Sequence, residues 1–158
     1  MSSHVVGEVE QTPEQPAAEL SNRLGYLLKH ANQRLTELTS AALEPYHLNG
    51  RELGVLVVLD AMGPTSQQDA ARRLGVDRTT MVALIDALEA KSIVVRRPFE
   101  EDRRRNVVEF TESGHEVFLQ ALQASDEAER QFVSPLEDAA AKLFRAQLKA
   151  VIGAGEVG

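Results

Sequence analysis

Hydrophobic residues recur every three or four positions along much of the chain, the spacing of one face of an α-helix. The first such stripe spans residues 18–43, and Pro45 disfavours helical geometry at Glu44, so we expect one long helix to end there. Asn49 stands three residues before Glu52, a spacing typical of a helix capping box. The segment that follows, to Met62, is apolar nearly all round, which predicts a buried central helix.

Two shorter helical stripes follow. Gly63-Pro64 ends the central helix, and Thr65 or Ser66 is the expected cap of the next one. Only Leu74-Gly75-Val76-Asp77 separates that helix from residues 78–91, where apolar positions again recur at helical spacing. Two helices joined by a short turn that contains glycine predict a helix-turn-helix.

Two β-branched runs come next, Ile93-Val94-Val95 and Val107-Val108. The charged stretch between them, Arg96 to Arg105, is a candidate hairpin tip. Two strands after a helix-turn-helix predict a winged helix. The chain then returns to helical spacing, with apolar stripes over residues 117–132 and 136–151.

Composition excludes several classes of protein. The 158 residues include no cysteine, which removes disulfides, thiolate metal sites and cysteine nucleophiles. The longest apolar stretch, Leu53 to Leu59, is far shorter than the roughly 20 residues that span a membrane, and the first residues lack a signal-peptide pattern. We therefore expect a cytoplasmic protein without a membrane partner. Residues 1–17 are polar and show no periodicity, which predicts a flexible tail.

Charge is unevenly distributed along the chain. Residues 66–105 carry nine Lys or Arg and seven Asp or Glu, a net charge of +2, whereas the whole chain has a net charge of −7. Arginines outnumber lysines thirteen to four, and arginine is the better ligand of phosphates and base edges. Arginine-rich usage is equally consistent with GC-rich coding, so the composition alone does not decide.

No catalytic or cofactor signature is present. The four histidines show no metal-ligand spacing, and GxSxG, Walker A and GxGxxG motifs are absent. The carboxylates are scattered along predicted helix faces. We expect neither an enzyme nor a metal or cofactor site.

The residue types favour a nucleic-acid interface instead. Asp77 is the expected cap of the second helix of the helix-turn-helix, and Arg78, Thr79 and Thr80 at its start suit phosphate and guanine contacts in the major groove. Five arginines bracket the hairpin tip, where one can enter the minor groove. The alternative is a solvated charge run that is neutralised by nearby acidic residues. The five arginines are Arg96, Arg97, Arg103, Arg104 and Arg105.

Three separated motifs occur in the order expected of a known family: Gly63–Gln67, Leu84–Lys91 and, most specifically, Asp102–Gly114, which fits an Asp-x-Arg wing followed by Leu-Thr-x-x-Gly. From about Leu20 to Ile152 the chain resembles the MarR family (multiple-antibiotic-resistance regulators), winged-helix dimers that bind promoter DNA. Three residues depart from the pattern. Phe110 replaces Leu, Ala70 replaces a larger apolar residue, and Ser92 stands where glycine is common, so a left-handed conformation there would be strained.

The resemblance implies a mainly α fold with a small β wing. A winged helix-turn-helix over residues 46–111 would bind DNA, and dimerisation helices over 18–45 and 112–153 would bury apolar stripes that exceed what one winged helix can cover. A larger monomeric helical core is the alternative. The implied roles are minor-groove insertion for Arg104, orientation of the wing for Asp102, phosphate contacts for Ser66, Gln67 and Gln68, major-groove contacts for Arg78, Thr79 and Thr80, and backbone contacts for Arg96, Arg97, Arg103 and Arg105.

The implied function is a homodimeric transcriptional regulator, more often a repressor, that reads a pseudo-palindrome in double-stranded DNA with half-sites about 34 Å apart. Many family members release DNA on binding a small anionic or phenolic effector. Candidate pocket residues here are Tyr26 and His30 on one helix face, and His47 and Arg51 at the next helix start. The alternatives are a winged-helix protein-interaction module and, with no supporting motif, an enzyme.

Overall fold

The computed structural model describes residues 18–153, and the predicted tail lies outside them. This part of the chain forms a mainly α fold with a two-stranded antiparallel sheet, as predicted. The elements are α1 (Ala18–Ser21), α2 (Leu24–Leu43), α3 (Gly50–Met62), α4 (Gln67–Leu74), α5 (Arg78–Ala90), β1 (Val94–Pro98), β2 (Asn106–Phe110), α6 (Glu112–Val133) and α7 (Asp138–Gly153), with a 3₁₀ turn at Glu44–Tyr46. None of these helices is both long and apolar enough to cross a membrane. The chain divides into two compact units between Gln33 and Arg34, within α2.

The predicted single helix over residues 18–43 is interrupted. α1 ends at Ser21, and the Arg23 N–H donates to the Leu20 carbonyl at 3.1 Å before α2 begins at Leu24. Ser21 and Asn22 stand at the break, and side chains of these types compete for backbone hydrogen bonds inside helices. Local chemistry therefore overrides the apolar periodicity at this point.

The core of the larger unit surrounds α3. This helix starts with the expected capping box, in which Asn49 Oδ1 accepts from the Glu52 N–H at 2.9 Å and Glu52 Oε2 accepts from the Asn49 N–H at 3.0 Å. It ends at Gly63, whose φ is 72°. Its buried side chains pack with others from several elements. The largest fully buried side chains, those of α3 included, are Leu43, Val55, Leu56, Leu59, Met81, Ile85, Leu88, Val94, Val108 and Phe118.

The wing is longer than the sequence indicates. Val94 pairs with Phe110, and the antiparallel register continues to Pro98 and Asn106. Arg96 and Arg97 therefore lie inside β1 rather than in the tip, which is confined to residues 99–105. The two cross-strand partners of these arginines, Val108 and Val107, are β-branched and favour the extended pairing.

Thr65 attaches the start of the helix-turn-helix to the wing. Its N–H donates to the Val108 carbonyl at 3.1 Å, and its carbonyl accepts from the Val108 N–H at 2.8 Å. Thr65 is thus a bridging residue of the sheet, and Ser66 is the cap of α4. β2 consequently holds both the wing and the segment that leads into α4.

The end of the wing packs closely on the end of α5. Thr111 caps α6, and its hydroxyl donates to the Ser92 carbonyl at 2.7 Å. Gly114 passes so near Ile93 that a Cβ on it would lie 2.0 Å from the Ile93 carbonyl oxygen. Ser92 has the left-handed conformation expected from the sequence, with φ at 58°. The Thr-x-x-Gly spacing of this segment therefore has a packing reason.

Candidate nucleic-acid interface

The first turn of α4 presents two glutamines. Ser66 caps the helix: its Oγ accepts from the Asp69 N–H at 3.1 Å and donates to Asp69 Oδ2 at 2.7 Å. Gln67 and Gln68 follow directly along the first turn. The unpaired N–H groups of a helix start attract anions, which suits the phosphate contacts that the resemblance implies.

The first turn of α5 is similarly capped. The hydroxyl of Thr80 donates to Asp77 Oδ2 at 2.6 Å and its backbone N–H donates to Oδ1 at 2.8 Å, and these two bonds hold the pKa of Asp77 below its ordinary value of 3.8. The Thr80 hydroxyl hydrogen is thereby used within the protein. Arg78 and Thr79 are exposed, and no other described residue engages their side chains. These two are the free polar groups of the turn.

The tip of the wing carries three arginines, Arg103, Arg104 and Arg105. Asp102 Oδ1 accepts from the backbone N–H of Arg104 at 3.1 Å, and the Asp102 carbonyl accepts from the N–H of Arg105 at 2.9 Å. Asp102 therefore shapes the tip through the backbone. Within residues 18–153, no carboxylate pairs with the guanidinium of Arg103, Arg104 or Arg105.

The two arginines of β1 face different surroundings. Arg97 Nε lies 2.7 Å from Glu109 Oε1 on β2, and its side chain is 66% exposed. Arg96 is 23% exposed, and its guanidinium binds Gln67, Asp86 and Glu89. Partial burial opposes the charge of Arg96, but its hydrogen bonds to the two carboxylates outweigh this and raise its pKa. The structure thus corrects the expectation that Arg96 is a free cation at the tip.

Sequence reasoning did not identify Asp86 and Glu89 as a pair of arginine ligands. They lie three residues apart on α5, so both reach the same side of the helix. Their partner belongs to the strand that follows the helix. Only the spacing of the two acids was visible in the sequence, because the partner depends on how β1 packs on α5.

The predicted effector residues fall in several places. The rings of Tyr26 and His30, one turn apart on α2, have centroids 4.1 Å apart. His47 is exposed, with φ at 53°, after the 3₁₀ turn. Arg51, in the first turn of α3, lines a surface cavity of about 450 Å³ with residues of the turn between α4 and α5. A common pocket for the four residues remains a prediction.

No group of three His, Asp or Glu side chains within residues 18–153 is placed to hold a metal ion. The charged groups of the winged helix include exposed cations, such as Arg78 and Arg104, and ion pairs, such as Arg97 with Glu109 and Lys91 with Glu52. A surface of this kind binds anions through exposed guanidinium groups and helix starts.

A family model described as "MarR family" matches residues 47–105, from the end of the 3₁₀ turn to the tip of the wing. Over these residues the chain is similar to the MarR family. The chain is 31% identical over 96 residues to the HTH-type transcriptional repressor NicR of Pseudomonas putida, which corresponds to 61% of each chain. It is 34% identical over 67 residues to the HTH-type regulator YfiV of Bacillus subtilis, or 42% of each chain. The chain thus spans about two fifths to three fifths of these two relatives.

Solved structures match the chain over more of its length. The transcriptional repressor CouR bound to a 23-mer DNA duplex is 29% identical, with a TM-score of 0.80, over 88% of this chain and 99% of that one. CouR from Rhodococcus jostii RHA1 bound to p-coumaroyl-CoA is 27% identical, with a TM-score of 0.73, over 85% and 95%. The winged-helix architecture is therefore shared across nearly the whole of these neighbours.

Proposed function

We propose that this protein is a transcriptional repressor that binds a pseudo-palindromic promoter site as a homodimer. The observation that carries the proposal is the state of the arginines at the wing. Arg96 and Arg97 have carboxylate partners, whereas the exposed guanidinium groups of Arg103, Arg104 and Arg105 have none within residues 18–153. Within residues 18–153 the acidic residues of the tip form no ion pair with them, and Asp102 accepts instead from the backbone N–H of Arg104. Free cations on a narrow hairpin suit the negative potential of a minor groove.

The exposed first turns of α4 and α5 extend this surface. Gln68 on α4, and Arg78 and Thr79 on α5, are polar groups beside backbone N–H groups that attract phosphate. The relatives support the proposal, since NicR is named a repressor and CouR has been solved on a DNA duplex. We assign base contacts to Arg78 and Thr79, minor-groove insertion to Arg104, and phosphate contacts to Gln68, Arg97, Arg103 and Arg105. The hydroxyl hydrogen of Ser66 is already donated to Asp69, so Ser66 serves as the cap of α4.

A homodimer is supported by apolar surface that the chain leaves uncovered. α7 buries none of its residues, and Leu143, Val151 and Ile152 are 58%, 74% and 67% exposed. Large apolar side chains in such number on one helix mark a protein–protein interface. We expect light scattering to give twice the mass of the chain, and Leu143→Glu to shift the protein toward the monomer. A parent that is monomeric at micromolar concentration would contradict the dimer.

Release of DNA by a small anionic or phenolic ligand is the second part of the proposal. CouR has been solved with p-coumaroyl-CoA, which contains both a phenol and phosphates. Tyr26, His30, His47 and Arg51 offer aromatic and cationic groups for such a ligand. A panel of phenolic acids and their CoA thioesters, added to the DNA complex, tests this part: a ligand that releases DNA from the parent and fails with Arg51→Met and His30→Leu supports it.

The DNA-binding proposal is tested by enrichment of genomic fragments on the purified protein at moderate salt. The parent and an Arg130→Ala control should enrich one pseudo-palindromic site, because Arg130 lies on α6 and pairs with Glu127. Arg104→Ala should lose that site while keeping the parent's mass. No enrichment by the parent at low salt would favour a protein-interaction module, and equal enrichment by Arg104→Ala would remove the wing from the proposal.

A further inference from the structure

Arg96 joins three elements of the winged helix. Its Nε and Nη2 donate to Gln67 Oε1 in α4, at 3.1 and 2.9 Å. Nη1 donates to Glu89 and Nη2 to Asp86, both on α5. The backbone N–H of Arg96, in β1, donates to the second oxygen of Glu89 at 3.2 Å. One side chain thus connects the first residue of α4, the C-terminal half of α5 and the wing.

The guanidinium is largely satisfied by these bonds. Its donors lie in a rigid planar fork, which binds several acceptors at fixed angles, and a lysine ammonium cannot reproduce that arrangement. Arg97, the next residue on the strand, points to the other face and pairs with Glu109. The alternation of side chains along a strand therefore separates one exposed arginine from one that is bound internally.

We propose that Arg96 is a positioning residue that clasps α4 and α5 to the wing and does not itself contact DNA. This inference rests on the proposed DNA-binding function. It replaces the sequence-based expectation that Arg96 contacts the DNA backbone. Gln67 then serves as an acceptor for the clasp and not as a phosphate ligand.

A clasp at this point has a clear purpose. Three elements must fit one duplex at the same time: the helix that reads the bases, the helix start at the phosphates and the wing in the minor groove. Any relative motion among these elements is lost on binding, which costs conformational entropy. The covalent link between α5 and β1 is short and contains Ser92 in a strained conformation. The clasp fixes the wing relative to α5 before DNA arrives.

The clasp also pairs Asp86 and Glu89, whose side chains are 60% and 38% exposed, with one shared cation. Carboxylates on a helix that faces DNA repel phosphates unless they are paired. The direction in which operator affinity changes in Glu89→Gln therefore tests the proposal, because this substitution keeps the size of the side chain. If Arg96 were a phosphate ligand held back by Glu89, this change would free it and raise operator affinity, whereas the clasp predicts that affinity falls.

The first measurement needs no DNA. Amide hydrogen exchange in β1, in β2 and at the start of α4 should become faster in Arg96→Met, and remain as in the parent in the matched control Arg97→Met. Unchanged exchange in Arg96→Met would overturn the clasp. This result is independent of whether the parent binds an operator, so failure of the clasp and failure of the DNA-binding proposal are distinguishable.

The second measurement uses the enriched operator and a random duplex over a range of salt. Arg96→Met and Arg96→Lys should both lose about tenfold or more in operator affinity, as expected for the loss of charge-assisted hydrogen bonds, with less loss on the random duplex. The log–log salt slope should stay at the parent value. A slope that falls by about 0.9, or retention of affinity by Arg96→Lys, would show a phosphate contact and overturn the proposal.

Glu89→Gln completes the test and guards against a variant that fails to fold. It should lower operator affinity in the parent background and have little effect in the Arg96→Met background, because the two residues act through one interaction. An increase in operator affinity in the parent background would contradict the clasp. The urea midpoint of each variant separates loss of fold from loss of positioning.

Discussion

Lys91 Nζ lies 2.6 Å from Glu52 Oε1, so the residue that ends α5 is bound to a carboxylate in the first turn of α3. Glu52 is only 3% exposed, and its other oxygen completes the capping box with Asn49. One buried carboxylate therefore stabilises the start of the central helix and anchors the end of the helix that we assign to the major groove.

Removing either partner of this pair should have unequal effects. Lys91→Met leaves the buried carboxylate of Glu52 without its cation, and we expect a loss of roughly 1–3 kcal/mol in the free energy of unfolding, below the usual range for buried pairs because the Lys91 side chain is 34% exposed. Glu52→Gln leaves Lys91 able to reach water and should cost about 1 kcal/mol. Urea denaturation at neutral pH measures both, and a larger loss for Glu52→Gln would contradict the burial argument.

Gly114→Ala should destabilise the protein strongly. The added Cβ would lie 2.0 Å from the Ile93 carbonyl oxygen, so the junction of wing and α6 must separate. We expect a loss of at least about 3 kcal/mol in thermal or urea unfolding. Gly50→Ala is the matched control, because Gly50 also lies in a first helical turn but a Cβ added there would meet no heavy atom within 4 Å. Equal stability of the two variants would show that the close approach is not maintained in solution.

Ser92→Gly should stabilise the protein. Ser92 has φ at 58°, a conformation that costs a residue with a Cβ about 1–2 kcal/mol, while glycine adds an entropic cost of roughly 0.5–1 kcal/mol. The expected net gain is about 0.5–1 kcal/mol in the free energy of unfolding. Ser92→Ala keeps the conformational cost and should give no gain, so a gain with alanine would assign the effect to the serine hydroxyl instead.

The Asp77 cap predicts how the stability of the protein depends on pH in acid. Its bonds from Thr80 lower its pKa in the folded protein below 3.8, so the carboxylate cap contributes stability that is fully present above 3.8 and is lost as the pH falls through the lower folded pKa. Asp77→Asn can still cap α5 but does not titrate there. The stability advantage of the parent over Asp77→Asn should therefore shrink below pH 3.8. An advantage that is constant over that range would remove the titration of Asp77 as its cause.

Several parts of the fold were predictable because they depend on neighbours in sequence. The capping box of Asn49 and Glu52 and the cap of Asp77 on α5 each involve residues within a few positions of one another. Helix periodicity placed α3 and α5 for the same reason. The left-handed conformation of Ser92 was expected from the family resemblance, which places glycine there. The interruption at Asn22 was missed, because a periodic apolar stripe continues across it.

The candidate interface was predictable as a set of residues but not as a set of roles. The sequence grouped five arginines around one hairpin, and the MarR resemblance assigned each of them to DNA. The structure separates them. Arg97 pairs across the sheet and Arg96 is bound within the winged helix, whereas Arg103, Arg104 and Arg105 pair with no carboxylate in the described part of the chain.

The sequence by itself determined the order of the elements, their caps and the resemblance to the MarR family, since these follow from local spacing and motif. Only the tertiary structure decided which charges remain available. The partners of Arg96 and Lys91 lie on other elements, up to 39 residues away in the sequence. Whether a cation is available to bind phosphate depends on which carboxylates the fold places next to it. The residue types alone do not give the spatial distance between the cation and those carboxylates.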